Sequence, residues 1–136
     1  MKGGSIETWE IGRLSVIGWK LEPACREFLL EIFPPRWPDM IADHVTLDAD
    51  AASDSPLPQK TEASVIGHAD DEDGLEALVV EIGGTAVRPD GSIFHITWSL
   101  DRSKGRAARE SNILLRKGWK ALGAPIAVHL DPALLK

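Results

Sequence analysis

Short stretches of alternating apolar and polar residues dominate this chain, and only two segments repeat their apolar positions at helical spacing. Arg13 to Leu21 (RLSVIGWKL) carries the β-formers Val16, Ile17 and Trp19 and predicts a strand, with Gly18 marking a bulge or a close backbone approach. Glu22-Pro23 then opens a helix running to Phe33, with Cys25, Phe28, Leu29 and Ile32 as its buried stripe, and Pro34-Pro35 stops it. Trp37-Pro38 continues as irregular chain. Asp43 to Ala49 alternates as a half-buried strand does, and the Ala, Ser, Asp and Pro of 50–58 make a surface loop. Lys60 to His68 and Leu75 to Ile82 read as strands flanking the turn Asp70 to Gly74, the second of them because of Val79, Val80 and Ile82 despite the helical propensity of LEALVVEI. Arg88-Pro89-Asp90-Gly91 is a tight-turn signature, so Thr85 to Val87 and Ser92 to Leu100 should form a hairpin. A charged loop over 101–105 leads to a helix from Ala107 to Lys117, with Ile113, Leu114 and Leu115 facing inward and Gly118 as a left-handed cap. Pro125 to Leu130 makes a last strand. The order is βαββ, then ββαβ. It predicts an α+β fold with two pseudo-symmetric antiparallel β lobes and flanking helices around a central cleft.

The two halves echo each other most closely at two tetrapeptides, His44-Val45-Thr46-Leu47 and His95-Ile96-Thr97-Trp98. Residues two apart on a strand share a face, so His44 points with Thr46, and His95 with Thr97 and Ser99. Phe94, Ile96, Trp98 and Leu100 take the opposite, apolar side. Only five threonines occur in the chain, so two of the four histidines having Thr two positions later is roughly a 1% coincidence. Two wet strand faces would account for the pattern without chemistry. If instead the strands meet around one pocket, two imidazoles facing each other across a phosphodiester divide an in-line displacement. One, neutral, takes a proton from water, while the other, protonated, gives one to the departing ribose oxygen. The threonine hydroxyls would hold the non-bridging oxygens.

Composition narrows the partners. At 136 residues one domain is expected over 1–136, with 1–12 as a peripheral segment. No apolar run approaches the roughly 20 residues that span a bilayer, and the start does not read as a secretory signal, so no membrane partner and a cytoplasmic location are expected. Cys25 is the only cysteine, which excludes an internal disulfide and a cysteine-based zinc knuckle. A zinc site from His44, His95 and either His68 or His129 finds one imidazole per strand and no alternating carboxylate, so neither metal nor cofactor is expected. The net charge of -6 argues against a general nucleic-acid coat protein. Charge is unevenly spread, however. Residues 101–120 hold seven cations against two anions, whereas 43–81 hold eleven carboxylates against Lys60 alone. Either these are solvated faces or the first is a cationic lip for an anionic ligand.

The pair of H-x-T strands resembles the two-histidine phosphoesterase superfamily, which includes 2'-5' RNA ligase-like proteins. It is most similar to the cyclic phosphodiesterase domain of plant and fungal tRNA ligases. There an HVTL-like strand is followed some fifty residues later by an H-[IV]-T strand, a basic glycine-containing loop and a segment close to E-[SA]-N-x-L-L. Here the corresponding residues are His44 to Leu47, His95 to Ser99, Lys104-Gly105-Arg106 and Glu110 to Leu115. The resemblance covers about Ser15 to Leu130. It implies catalytic roles for His44, Thr46, His95 and Thr97, and hydrolysis of 2',3'-cyclic phosphate ends of RNA or of small cyclic nucleotides, leaving a 2'-phosphate. A non-catalytic RNA-end or nucleotide-binding module, or a hydrolase of a signalling cyclic oligonucleotide, would share these residues, and RNA-repair proteins are the expected protein partners.

Further residues are candidates for the substrate. Lys104, Arg106 and Arg109 follow the second motif closely and could contact flanking phosphates, the arginines with two parallel donors. Arg116 and Lys117 are accounted for by the negative end of the helix dipole. Ser111 and Asn112 match the family segment and could contact nucleotide, although ordinary helix-start chemistry explains them equally well. Ser99 shares the polar strand face. Trp37, just before the first motif, is the tryptophan placed to stack on a nucleobase, whereas Trp98 alternates into the core.

Overall fold

A computed structural model describes residues 14–136; the peripheral segment expected over 1–12, and Arg13 of the first strand, lie outside the described residues. The chain runs β1 (Ser15–Leu21), α1 (Pro23–Ile32), β2 (Asp39–Met40), β3 (His44–Ala51), β4 (Thr61–Asp70), β5 (Leu75–Ile82), β6 (His95–Leu100), two 3-10 turns (Arg102–Lys104 and Ala108–Glu110), α2 (Ser111–Lys117) and β7 (Lys120–Leu134). The fold is α+β. All strand pairings are antiparallel, and the strands form one sheet in the order β2-β6-β5-β4-β7-β1-β3.

That order dictates the shape. β2 and β3 lie on opposite edges, yet only Ile41, Ala42 and Asp43 join them. Seven flat strands would hold their edges about 29 Å apart, and the four peptide units from Met40 to His44 reach at most about 14 Å. The sheet must therefore curl into a half-barrel, which brings β3 against β6. The corner is Ala42, fully buried at φ 44°. Its N–H donates to the Thr97 carbonyl at 3.0 Å, and its carbonyl accepts from Arg26 Nε of α1 at 2.6 Å. The next residue already belongs to the other edge, because the Asp43 carbonyl accepts from the Leu21 N–H at 2.9 Å.

Alternation along the strands separates two apolar layers. Trp19, Val45, Leu78, Val80, Ile96, Trp98 and Leu130 belong to the main core, which α1 joins through Leu29. On the other face Val79 packs with Ala69 and with Leu115 of α2. Glu22 starts α1 by accepting the Cys25 N–H at 2.9 Å, and the indole of Trp98 donates to the Phe33 carbonyl at 2.7 Å where the helix ends.

Several expectations need correction. The inward side of α1 is the i, i+4 series Cys25, Leu29 and Phe33, with Leu30, whereas Phe28 and Ile32 lie one stripe round and are 55% and 43% exposed. The second helix starts only at Ser111, because the Glu110 carboxylate takes the Ala107 N–H at 2.8 Å and shapes the preceding turn as 3-10. Ile113 faces solvent, while Leu115 is buried. Gly118 has a positive φ of 129° but an extended ψ of 163°, so it feeds β7 instead of capping in the left-handed helical region. β7 runs for 15 residues and not six, since it pairs with β4 on one side and β1 on the other. The expected hairpin is present in shortened form: Val87 bridges Ile93, with the Arg88 N–H on the Ser92 carbonyl and the Phe94 N–H on the Ala86 carbonyl, while Thr85 bridges Ile82 instead.

Gly18 is required where β1 meets β3. A Cβ there would overlap the Val45 carbonyl oxygen and stand 2.9 Å from the Leu47 nitrogen, both fixed backbone. Gly18→Ala is expected to destabilise by roughly 1–3 kcal/mol, read as a fall in Tm of roughly 4–12 °C. A change under one degree would mean that β3 can move away.

Candidate active site

Both H-x-T segments open strands, His44 at the start of β3 and His95 at the start of β6. The corner at Ala42 makes them neighbours. Each histidine lies two residues from the Ala42–Thr97 hydrogen bond, on the two chains that diverge from it. Val45 and Ile96 point into the main core, so His44 with Thr46, and His95 with Thr97, take the opposite face.

Each ring is held by the same nitrogen. His95 Nδ1 donates to the Ile93 carbonyl at 2.7 Å, and His44 Nδ1 lies 3.1 Å from the Asp43 carboxylate, which can only accept. Among the described residues neither Nε2 has a partner, so both are left for chemistry. Burial pushes the pKa of His95 below its ordinary value; the carbonyl bond opposes this, and the nearby charges of Arg88 and His44 add to the depression. Burial raises the Asp43 carboxyl, but hydrogen bonds from Lys20, at 2.9 Å, and from His44 outweigh it and hold the group below the usual carboxylate range.

The hydroxyl of Thr97 meets that of fully buried Ser111 at 2.9 Å. Ser111 is thus a support for the second motif, reached through α2. Asn112 follows it, its amide nitrogen donating to the Arg109 carbonyl at 3.2 Å. Thr46 is half-buried on the side of His44.

Other expected site residues are drawn elsewhere. Ser99 is fully buried and does not share the face of His95 and Thr97. Glu76 pairs with Ser99 and Ala77 with Thr97, so Trp98 is an extra residue, and this bulge reverses the alternation. The Ser99 hydroxyl donates to Glu76 at 2.6 Å and accepts the Trp37 N–H at 3.1 Å, so its proton is spent and its burial keeps it from a substrate. Trp37 sits beside that network with the Arg36 guanidinium 4.8 Å and the Lys104 ammonium 5.9 Å from its ring centre, where a base would have to stack. The acidic turn takes two cations of the lip, Lys104 and Arg106, and it also holds Arg36. Arg106 pairs with Asp71 at 2.6 Å and Glu110 at 3.1 Å, Lys104 with Asp73 at 3.3 Å, and Arg36 with Asp70 and Glu72 at 2.6 and 2.7 Å. Arg109 is exposed and has no ion pair among the described residues.

The remaining histidines serve other ends. His68 bonds Glu76 at 2.8 Å and stacks on Phe33, and the His129 amide meets the half-buried thiol of Cys25, whose pKa burial pushes up. No group of three His, Cys, Asp or Glu stands together among the described residues. Nor is any described helix long and apolar enough to cross a membrane. Sequence reasoning missed Asp43 and Arg88. The first could have been suspected from its place beside His44, but the second reads only as part of a turn. Compared with known proteins, the chain matches no protein-family model, no curated protein and no solved structure.

Proposed function

We propose that this protein is a phosphodiesterase that opens 2',3'-cyclic phosphates at RNA ends or on small nucleotides, with its two halves, one H-x-T strand in each, flanking the cleft. The reading rests on one observation above all: the β2–β3 corner brings two histidines together with both Nδ1 atoms bonded and both Nε2 atoms left over. The similarity to two-histidine phosphoesterases adds to it. His95, kept neutral by burial, is the general base that takes a proton from the attacking water. His44, its Nδ1 held by the Asp43 carboxylate, is the general acid that gives its Nε2 proton to the departing ribose 3'-oxygen. Water and the cyclic diester thus become a 2'-phosphate and a free 3'-hydroxyl, and the two imidazoles exchange protonation states before the next turnover. Thr46 supplies a hydroxyl donor for a non-bridging oxygen, while the Thr97 hydroxyl, engaged with Ser111 at 2.9 Å and with the Ala108 carbonyl at 3.4 Å, ties the His95 strand to the start of α2.

Incubation with adenosine 2',3'-cyclic phosphate and with a cyclic-phosphate-ended RNA, in chelator, should yield 2'-phosphate products. The rate should be bell-shaped in pH. Its acid limb should lie below 6.5, because a base with a depressed pKa stays active until the pH falls through that lower value. Ligands bound but left intact from about pH 5 to 9 would turn the reading into a non-catalytic binding module.

A further inference from the structure

Beside the histidine pair lies a polar pocket of about 370 Å³ lined by Arg88, Asp90, Gly91, Ser92, Asn112 and Arg116. It adjoins β6 at two points. Asn112 follows Ser111, which bonds Thr97, and Ser92 precedes Ile93, whose carbonyl holds His95. Arg88 is close enough for its charge to act on His95.

The pocket has unmet hydrogen-bonding demands of two kinds. Arg88 is 6% exposed; its Nη2 bonds Asp90 at 2.9 Å, but its Nε–H is buried with no partner among the described residues. The Asn112 Oδ1 is likewise buried and without a donor among the described residues, while Nδ2 of the same side chain donates to the Arg109 carbonyl. Buried polar groups are ordinarily paired, and these two unpaired atoms belong to residues that line the same pocket. The first needs an acceptor, best an anionic one, and the second needs a hydroxyl. A phosphate ester of a sugar offers both. Asp90 also lines the space, but its Oδ1 is taken by Ser92 at 2.9 and 2.6 Å and its Oδ2 by Arg88. Arg116 then leaves the pocket with an excess of positive charge. At this volume it exceeds a bare phosphate and falls at the small end of ligand sites.

We propose that this pocket binds the 5'-phosphate of the ribose whose cyclic phosphate lies between His44 and His95, so that the substrate class is a 2',3'-cyclic phosphate carrying a second phosphate. The assignment rests on the hydrolase reading above. The shared chemistry is a 5'-phosphate ester, which a 5'-phosphorylated mononucleotide offers as a monoester and an RNA end offers as a diester.

The test uses the whole chain and its Arg116→Gln variant, chosen because Arg116 is exposed on α2 and its loss should leave the fold intact. Turnover is compared for adenosine 2',3'-cyclic phosphate, its 5'-phosphorylated form and a dinucleotide with a cyclic phosphate end. Binding of adenosine 2'-phosphate and adenosine 2',5'-bisphosphate is measured by calorimetry. The 5'-phosphate should raise kcat/KM and product affinity by roughly tenfold, and R116Q should remove most of that ratio. The dinucleotide arm shows whether the diester earns the same advantage as the monoester. Turnover without any 5'-phosphate preference, or a preference untouched by R116Q, overturns the pocket and leaves the hydrolase standing. A preference for the bisphosphate, lost in R116Q, with no cyclic phosphate opened, supports the pocket and overturns the hydrolase.

Discussion

His95→Ala should lower kcat on a 2',3'-cyclic phosphate by roughly 10²- to 10⁴-fold, the range that general acid–base groups contribute, while KM changes far less. The ring touches the chemistry through Nε2 alone, since Nδ1 is occupied by the Ile93 carbonyl. Its removal takes away the proton acceptor without emptying the main core, because His95 lies on the face opposite Ile96. His44→Ala should lose activity by a similar factor, and the two variants can be told apart by leaving group. An activated ester whose alcohol departs without help needs no acid, so it should restore much of the rate to the His44 variant and little to the His95 variant. Equal rescue of both would reverse or dissolve the assignment of base and acid. Undiminished turnover in both would end the two-histidine mechanism altogether.

The largest effect on stability is expected at Glu76. Its side chain is 5% exposed and accepts from His68 at 2.8 Å, from Ser99 at 2.6 Å and from the Arg36 N–H at 3.1 Å. Glu76→Ala would leave three donors without a partner at the junction of β4, β5 and β6. Breaking a buried ionic network on one side costs about 3–5 kcal/mol, a large part of what holds a domain of this size together. Denaturant unfolding should therefore show the midpoint falling sharply, with Glu76→Gln, which keeps the shape, lying between. Burial raises this carboxyl, but the bonds from His68, Ser99 and Arg36 outweigh it and hold the group below 4.5. A carboxyl whose pKa is lower in the folded state stabilises above the ordinary value, and that contribution disappears as the pH falls through the lower one. The wild-type protein should lose this increment below about pH 4.5, and Glu76→Gln should lack that part of the acid dependence. A loss under 1 kcal/mol in the alanine variant would show the network to be dispensable.

The histidine strands were legible because period-two alternation is local: Val45 and Ile96 point inward by pattern alone, and His44, Thr46, His95 and Thr97 follow from them. Ser99 was misread for the same reason. Nothing in the sequence around Thr97-Trp98-Ser99 announces an extra residue, and only the pairing of Glu76 with Ser99 turns that hydroxyl to the core face. Lys104 and Arg106 are adjacent in sequence to the second motif, but their partners Asp73 and Asp71 come from a turn about thirty residues earlier, a distance that no local rule bridges. β2 has two residues and no pattern of its own. It forms because Asp39 and Met40 find Leu100 and Ser99, and the meeting of the two motifs depends on it. Arg88 was hidden by its turn signature, which describes Pro89 to Gly91 well and is silent on where the preceding side chain goes.

The corner at Ala42 also sets how the molecule can move. A site carried on separately hinged halves can open and shut around its ligand. Here the two histidine-bearing strands leave one shared hydrogen bond, and spreading them would tear Ala42 from Thr97 and from Arg26 at the same time. The corner therefore behaves as a caliper locked at one setting, holding the two strands at a single separation.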